Sequence, residues 1–150
     1  MIKTPEELQK LIALMDLIQT VRLAMKSYMQ NKLRENNYNI TFEMLQVLMV
    51  LWRRNSINQQ EIADLVQKNK ASLTPLLDNL SKRNLVIRTE DSSDRRNKII
   101  SLTDEGFQYQ ERIQPLIDEF YESFKSDISI TQIEAVSEML RRFHKNITSI

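Results

Sequence analysis

The stretch Val86-Ile87-Arg88-Thr89-Glu90-Asp91-Ser92-Ser93-Asp94-Arg95-Arg96-Asn97-Lys98-Ile99-Ile100-Ser101-Leu102-Thr103 divides into two β-favouring runs around a charged loop. Val86, Ile87 and Thr89 make the first run, and Ile99, Ile100, Ser101 and Leu102 the second. Branched side chains pack well on a pleated surface, and the polar segment between the runs closes a hairpin. Asp94 to Lys98 fall at or beside its tip, with three cations, Arg95, Arg96 and Lys98.

Upstream, Asn58-Gln59-Gln60-Glu61 has a capping-box arrangement, in which Asn58 serves the Glu61 amide and Glu61 reaches back. A short helix to about Val66 turns Ile62, Ala63, Leu65 and Val66 inward, and small Ala63 lets a following helix cross closely. The turn is Gln67-Lys68-Asn69, with Asn69 expected in the left-handed conformation often filled by glycine. The next helix, about Lys70 to Asn84, sets Leu73, Leu76, Leu77 and Leu80 on one face. Its other face presents Lys70, Ser72, Thr74, Asp78, Asn79, Lys82 and Arg83. Pro75 fits only near the start, because an interior proline loses a hydrogen bond and clashes with the preceding turn. It either marks the helix start or stiffens the end aimed at a groove. Two polar-capped helices followed by a basic hairpin is the order of a helix-turn-helix with a wing.

The flanks are helical. Thr4-Pro5-Glu6-Glu7 offers an N-cap, a proline at the first helical position and acids in the first turn. Leu8, Leu11, Ile12, Met15, Ile18, Val21, Met25, Tyr28 and Met29 then trace an apolar stripe until Asn36-Asn37. Thr41 caps a helix whose Phe42, Leu45, Val47, Leu48, Val50, Leu51 and Trp52 imply burial on most sides, ending at Arg53-Arg54-Asn55. Beyond Thr103, Phe107, Ile113, Leu116, Ile117, Phe120 and Phe124 share a face, with Pro115 expected to bend the helix. A last helix is expected to open at Thr131-Gln132-Ile133-Glu134, with a stripe of Ile133, Val136, Leu140, Phe143 and Ile147. These terminal stripes either pack within one chain or pair two chains.

Composition narrows the functions available. The 150 residues, 41% hydrophobic, suit one integrated domain, and no stretch approaches a membrane span. The N-terminal segment lacks a basic region followed by an apolar core, so an intracellular, cytoplasmic protein is expected. With no cysteine and a single histidine, His144, there is no disulfide framework, thiolate nucleophile or thiolate metal site, and no metal or cofactor is expected. His144 reads as a surface or packing residue. One glycine, Gly106, argues against phosphate-cradling loops, and no cluster of acid, base and nucleophile points to an enzyme. The net charge of +1 hides a division: residues 1–67 carry +1, residues 68–98 carry +4 and residues 99–150 carry −4. The basic middle is either an ordinary solvated face or a phosphate-contacting surface.

The segment Asp94-Arg95-Arg96-Asn97-Lys98-Ile99-Ile100-Ser101-Leu102-Thr103-Asp104-Glu105-Gly106, a D-R-R followed by L-T-x-x-G, resembles the wing and following helix start of the MarR family of bacterial transcriptional regulators. Ser72-Leu73-Thr74-Pro75-Leu76-Leu77-Asp78-Asn79-Leu80 with Asn84-Leu85-Val86 is similar to that family's recognition helix and wing entry, and similarity in order and length covers nearly the whole chain. Asn84 stands where a glycine is often found, and without cysteine the chemistry of the thiol-sensing branch is ruled out. The resemblance implies a mainly α fold with a small β-hairpin wing: a winged helix-turn-helix with long N- and C-terminal dimerisation helices. Residues 1–40 would form an N-terminal dimerisation helix, 41–103 the DNA-binding region and 104–150 the C-terminal dimerisation helices.

The function expected is a DNA-binding regulator, most simply a repressor, that binds a pseudo-palindromic operator as a homodimer and is released by a small aromatic or anionic effector. Lys70, Ser72, Thr74 and Asn79 are candidates for the major groove, where Asn79 suits adenine and Lys70 guanine or phosphate. Gln59, Gln60, Lys82, Arg83, Arg88 and Lys98 are candidates for backbone contacts, and Lys68 and Pro75 complete the set. Arg95 or Arg96 would enter a narrow minor groove, organised by Asp94, although Asp91 and Asp94 can also pair with these arginines merely to order the turn. Tyr28, Met25, Trp52 and Phe107 either line a ligand cleft or are core. The competing reading is a winged-helix protein-interaction module without an operator of its own.

Overall fold

The structure, a computed structural model, describes residues 4–91 and 98–149. Asp94, Arg95 and Arg96 lie outside the described residues. Two compact units are present, residues 1–113 and residues 114–150.

In the first unit, helix α1 (Pro5–Glu35) begins with a reciprocal box: Thr4 Oγ1 accepts from the Glu7 amide at 3.2 Å, and Glu7 Oε2 accepts from the Thr4 amide at 3.2 Å. It ends where Asn37 turns left-handed, φ 57°, and the Tyr38 amide donates to the Leu33 carbonyl at 2.9 Å. Of its residues only Met29 and Leu33 are buried, while Leu8, Leu11, Ile12, Met15, Leu17, Val21 and Leu23 stay exposed. Helix α2 (Phe42–Arg53), capped by Thr41, buries the expected Leu45, Val47, Leu48 and Leu51 together with Met44, while Phe42, Val50 and Trp52 are half-buried.

Next come β1 (Ile57–Asn58), α3 (Gln59–Leu65), α4 (Lys70–Lys82), β2 (Val86–Glu90) and β3 (Lys98–Leu102). The strands form an antiparallel sheet ordered β1-β3-β2, with Val86 opposite Leu102, Arg88 opposite Ile100 and Glu90 opposite Lys98. Leu33, Leu45, Leu48 and Leu51 share the core with Ile62, Leu73, Leu77, Leu80, Val86 and Ile100, all essentially inaccessible.

The L-T-x-x-G stretch has a mechanical explanation. Leu102 is buried, the Thr103 amide donates to the Leu85 carbonyl at 3.2 Å, and the Gly106 amide donates to Thr103 Oγ1 at 3.0 Å. Helix α5 (Asp104–Lys125) thereby starts pressed against the entry to β2, so closely that a Cβ on Gly106 would sit 2.1 Å from the Leu85 carbonyl oxygen. Only glycine fits that approach.

In the second unit, helix α6 (Ile130–Thr148) follows the rest of α5. None of its described residues is buried, and Val136, Met139, Leu140 and Ile147 are 42–69% exposed. No helix of the described residues is long and apolar enough to cross a membrane.

Three local expectations are corrected. The left-handed residue of the helix-helix turn is Gln67, φ 53°, not Asn69. The reason is that Lys68 closes α3 by donating to the Ala63 carbonyl at 2.8 Å, while Asn69 stays extended to cap α4. Asn58 caps α3, but Glu61 does not complete the box, since its carboxylate pairs with Arg54 at 2.6 Å. Helix α6 opens at Ser129 rather than Thr131, because Ser129 and Gln132 form the reciprocal pair, with amide-to-side-chain distances of 2.9 and 3.2 Å.

Candidate nucleic-acid interface

Helix α4 owes its position to polar ties at its first turn. Asn69 Oδ1 accepts from the Ser72 amide at 2.7 Å, satisfying one of the helix's free N–H groups. Leu73, Leu77 and Leu80 anchor the inner face in the core. The outer face leaves Ala71, Ser72, Pro75, Asn79 and Lys82 exposed, and Lys70 is exposed as the first residue of the helix. Among the described residues, the side chains of Lys70, Ser72 and Lys82 make no hydrogen bond or ion pair within the protein, so their donors are free for an outside partner. Asn79 is exposed but occupied: its Nδ2 donates to the Pro75 carbonyl at 2.9 Å.

Thr74 is drawn inward. Its Oγ1 donates to the Lys70 carbonyl at 2.9 Å and accepts from Gln59 Nε2 at 2.9 Å. Gln59 itself is 8% exposed, a buried amide tying α3 to α4 rather than a surface donor. Its neighbour Gln60 is exposed, with Nε2 donating to Asp64 Oδ1 at 2.9 Å.

The described base of the wing is salt-bridged. Arg88 reaches from β2 to α4, its Nη1 2.7 Å from Asp78 Oδ1 and its Nη2 donating to the Thr74 carbonyl at 3.2 Å. Across the hairpin, Lys98 Nζ lies 2.9 Å from Glu90 Oε1 and holds that carboxyl below its ordinary value.

Two remaining candidates border clefts. Lys68 borders a cleft of about 400 Å³ between α1 and α2, also lined by Lys26, Phe42 and Glu43. There Lys26 Nζ and Glu43 Oε1 are 2.6 Å apart. Burial pushes the Glu43 carboxyl up, but the hydrogen bonds it accepts from the Lys26 ammonium and from backbone, with the charges of Lys26 and, last, Lys68, more than offset it, leaving the group below its ordinary value. Arg83 borders a separate cleft of about 390 Å³ with Tyr38, Leu85 and Tyr109. Of the residues considered for a ligand cleft, Met25 lines the one between α1 and α2, whereas the Trp52 indole donates to the Gly106 carbonyl at 3.0 Å and serves the core.

The structure thus brings Ser72, Pro75, Asn79 and Lys82 onto one exposed helix face, leaves Lys70 exposed at the first position of the helix, and ties Arg88 to that helix. Sequence reasoning placed the helix but missed β1 and the ties converging on Thr74. Asp78, one helical turn beyond Thr74, was the available signal for the second of these.

Residues 40–98 match the sequence profile of the MarR family. SarZ, named as an HTH-type transcriptional regulator, is 30% identical in Staphylococcus aureus over 113 residues, 75% of this chain and 74% of that protein. The Staphylococcus epidermidis SarZ is 35% identical over 97 residues, which span 65% of this chain and 63% of that protein. Among solved structures, reduced AbfR bound to DNA superposes with a TM-score of 0.74 at 26% identity, covering 97% of this chain and 99% of that one. The S. aureus MepR-DNA complex gives 0.72 at 27%, covering 89% and 96%. The relatives are named as regulators rather than enzymes, and with this profile, this wing order and this degree of identity the chain belongs to the MarR family.

Proposed function

We propose that the chain is a sequence-specific, DNA-binding transcriptional regulator of the cytoplasm that acts as a homodimer on a pseudo-palindromic site. The observation that carries this reading is the exposed face of α4, where Ser72 offers an unengaged donor on the side of Asn79 and Lys82, with the free ammonium of Lys70 at the helix start. Lys70 suits guanine or phosphate, and Asn79 suits adenine once it releases the Pro75 carbonyl. Lys82 and Gln60 serve as backbone contacts, and Arg95 or Arg96, organised by Asp94, enters the adjacent minor groove. AbfR and MepR, similar in fold and more than a quarter identical, have been solved on DNA, which supports the same use here.

The homodimer reading rests on unburied apolar surface. Each large aliphatic side chain removed from water contributes roughly 1.5–3 kcal/mol. Seven such residues on α1 are 40–60% exposed in the single chain, and five on α6 are 42–69% exposed. Pairing residues 1–40 and 104–150 of two chains would cover them and set two copies of α4 about 34 Å apart, one DNA turn. Repression of the promoter, with release by a small aromatic or anionic effector, completes the proposal; the cleft between α1 and α2 is the place for that ligand.

The test is a titration of a promoter-derived duplex at fixed salt with the double variant Arg95→Ala, Arg96→Ala. Affinity is expected to fall at least tenfold while sedimentation still reports a folded dimer. Unchanged affinity would reject the role given to the wing.

A further inference from the structure

We propose that Arg88 is a positioning residue: by bridging Asp78 and the Thr74 carbonyl it fixes the wing to the recognition helix, and it does not itself hold a phosphate. The functional half of this inference rests on the DNA-binding reading above; the mechanical half does not.

Thr74 is where three elements meet. Its hydroxyl is held from α3 by Gln59 Nε2 and passes a hydrogen bond on to the Lys70 carbonyl, each at 2.9 Å. Its carbonyl is held from β2 by Arg88 Nη2 at 3.2 Å. The other arm of the same guanidinium lies 2.7 Å from Asp78, one helical turn further along α4. A planar fork spanning one turn restrains both rotation and sliding of the strand against the helix, which a single-point ammonium would not do.

The chemistry of this site also disfavours a phosphate. Both terminal nitrogens of Arg88 are engaged, its side chain is 29% exposed, and the Asp78 carboxylate beside it would repel a second anion. What the strut provides instead is preorganisation: α4 and the wing reach DNA at a fixed relative angle, without the entropy loss of ordering the hairpin on contact. The residues that would read bases, Lys70 and Ser72, lie on the turn that Thr74 braces.

The experiment compares wild type with Arg88→Ala, Arg88→Lys, Asp78→Asn and the Asp78→Asn, Arg88→Ala double variant. Amide exchange of the free protein is read first. Arg88→Ala and Asp78→Asn are each expected to speed exchange in β2 and around residues 74–78, with circular dichroism unchanged. Binding to a selected duplex is then measured across salt. Each single variant is expected to weaken it about tenfold, the double variant no further, with the logarithmic salt slope unaltered. Lysine restores the link to Asp78 but not to Thr74, so Arg88→Lys falls between alanine and wild type.

Exchange unchanged in every variant would overturn the strut. So would Arg88→Ala reducing the salt slope by about 0.9 while Asp78→Asn tightens binding, the signature of a phosphate contact released from its competitor. If wild type fails to bind any duplex, the regulator reading fails, and the exchange data still decide the strut.

Discussion

Replacing Gly106 with alanine should destabilise the protein, although helix propensity alone predicts the opposite. Gly106 lies inside the first turn of α5, where alanine is normally worth about 1 kcal/mol more than glycine. Here the added Cβ would stand 2.1 Å from the Leu85 carbonyl oxygen, against 3.4 Å for ordinary contact, and 3.1 Å from Leu102 Cδ2. The obstacle is backbone, and it is tied down: Leu85 is 3% exposed, its amide donates to Leu80 at 3.0 Å, and its carbonyl accepts from Thr103 at 3.2 Å. Relief requires α5 to lift from β2, which strains the Thr103 bond and the Trp52-to-Gly106 bond. Overpacking of this kind costs roughly 1–3 kcal/mol and each weakened buried hydrogen bond about 1 kcal/mol more. After subtracting the propensity gain, a net loss of about 2–4 kcal/mol remains, a drop in Tm of roughly 5–15 °C for a chain of this length. Urea denaturation followed by circular dichroism, with equal slopes for the two proteins, measures it directly. A Gly106→Ala protein as stable as wild type, or more so, would refute the close approach as the reason for glycine.

Other outcomes follow from single contacts. Removing the α4 cap with Asn69→Ala should cost about 1 kcal/mol in denaturation experiments, since Asn69 Oδ1 serves the Ser72 amide at 2.7 Å; no loss would mean the cap is idle. Gln67→Gly should stabilise by roughly 0.5–1 kcal/mol by relieving a left-handed glutamine at φ 53°, and a loss in the same assay would contradict that. Glu43 has a folded pKa below its ordinary value, so its stabilising contribution is full above that value and lost as pH falls through the lowered one. Glu43→Gln and Lys26→Ala should therefore both flatten the acid limb of the stability-pH curve, whereas a curve superimposable on wild type would exclude the Lys26 pair as its source.

The fold was legible because its periods change sharply: Leu73, Leu77 and Leu80 recur at helical steps, and Val86, Ile87 and Thr89 then do not. The caps at Thr4, Thr41 and Asn58 were readable for the same local reason, as each lies three residues before the amide it serves. What could not be read depends on contacts distant in sequence. Strand β1 is two residues long and exists only because β3 pairs with it, so no period announces it. Gln59 reads as a surface residue at a helix start and becomes a buried tie only once Thr74, fifteen positions on, comes alongside. Arg88 looked like a cation available to phosphate until Asp78 and the Thr74 carbonyl claimed both its arms. Lys68, counted with the basic middle, borders the cleft between α1 and α2 because the turn that carries it packs toward those helices.

The regulator reading meets its most direct test in the ratio of two affinities at one salt concentration: for a duplex selected by this protein from a random pool, and for the same bases scrambled. Preference of a thousandfold or more is expected, with protection over two half-sites about 10 base pairs apart, centre to centre. A ratio near one at every salt concentration would contradict sequence-specific readout and leave the winged helix as a surface for protein partners.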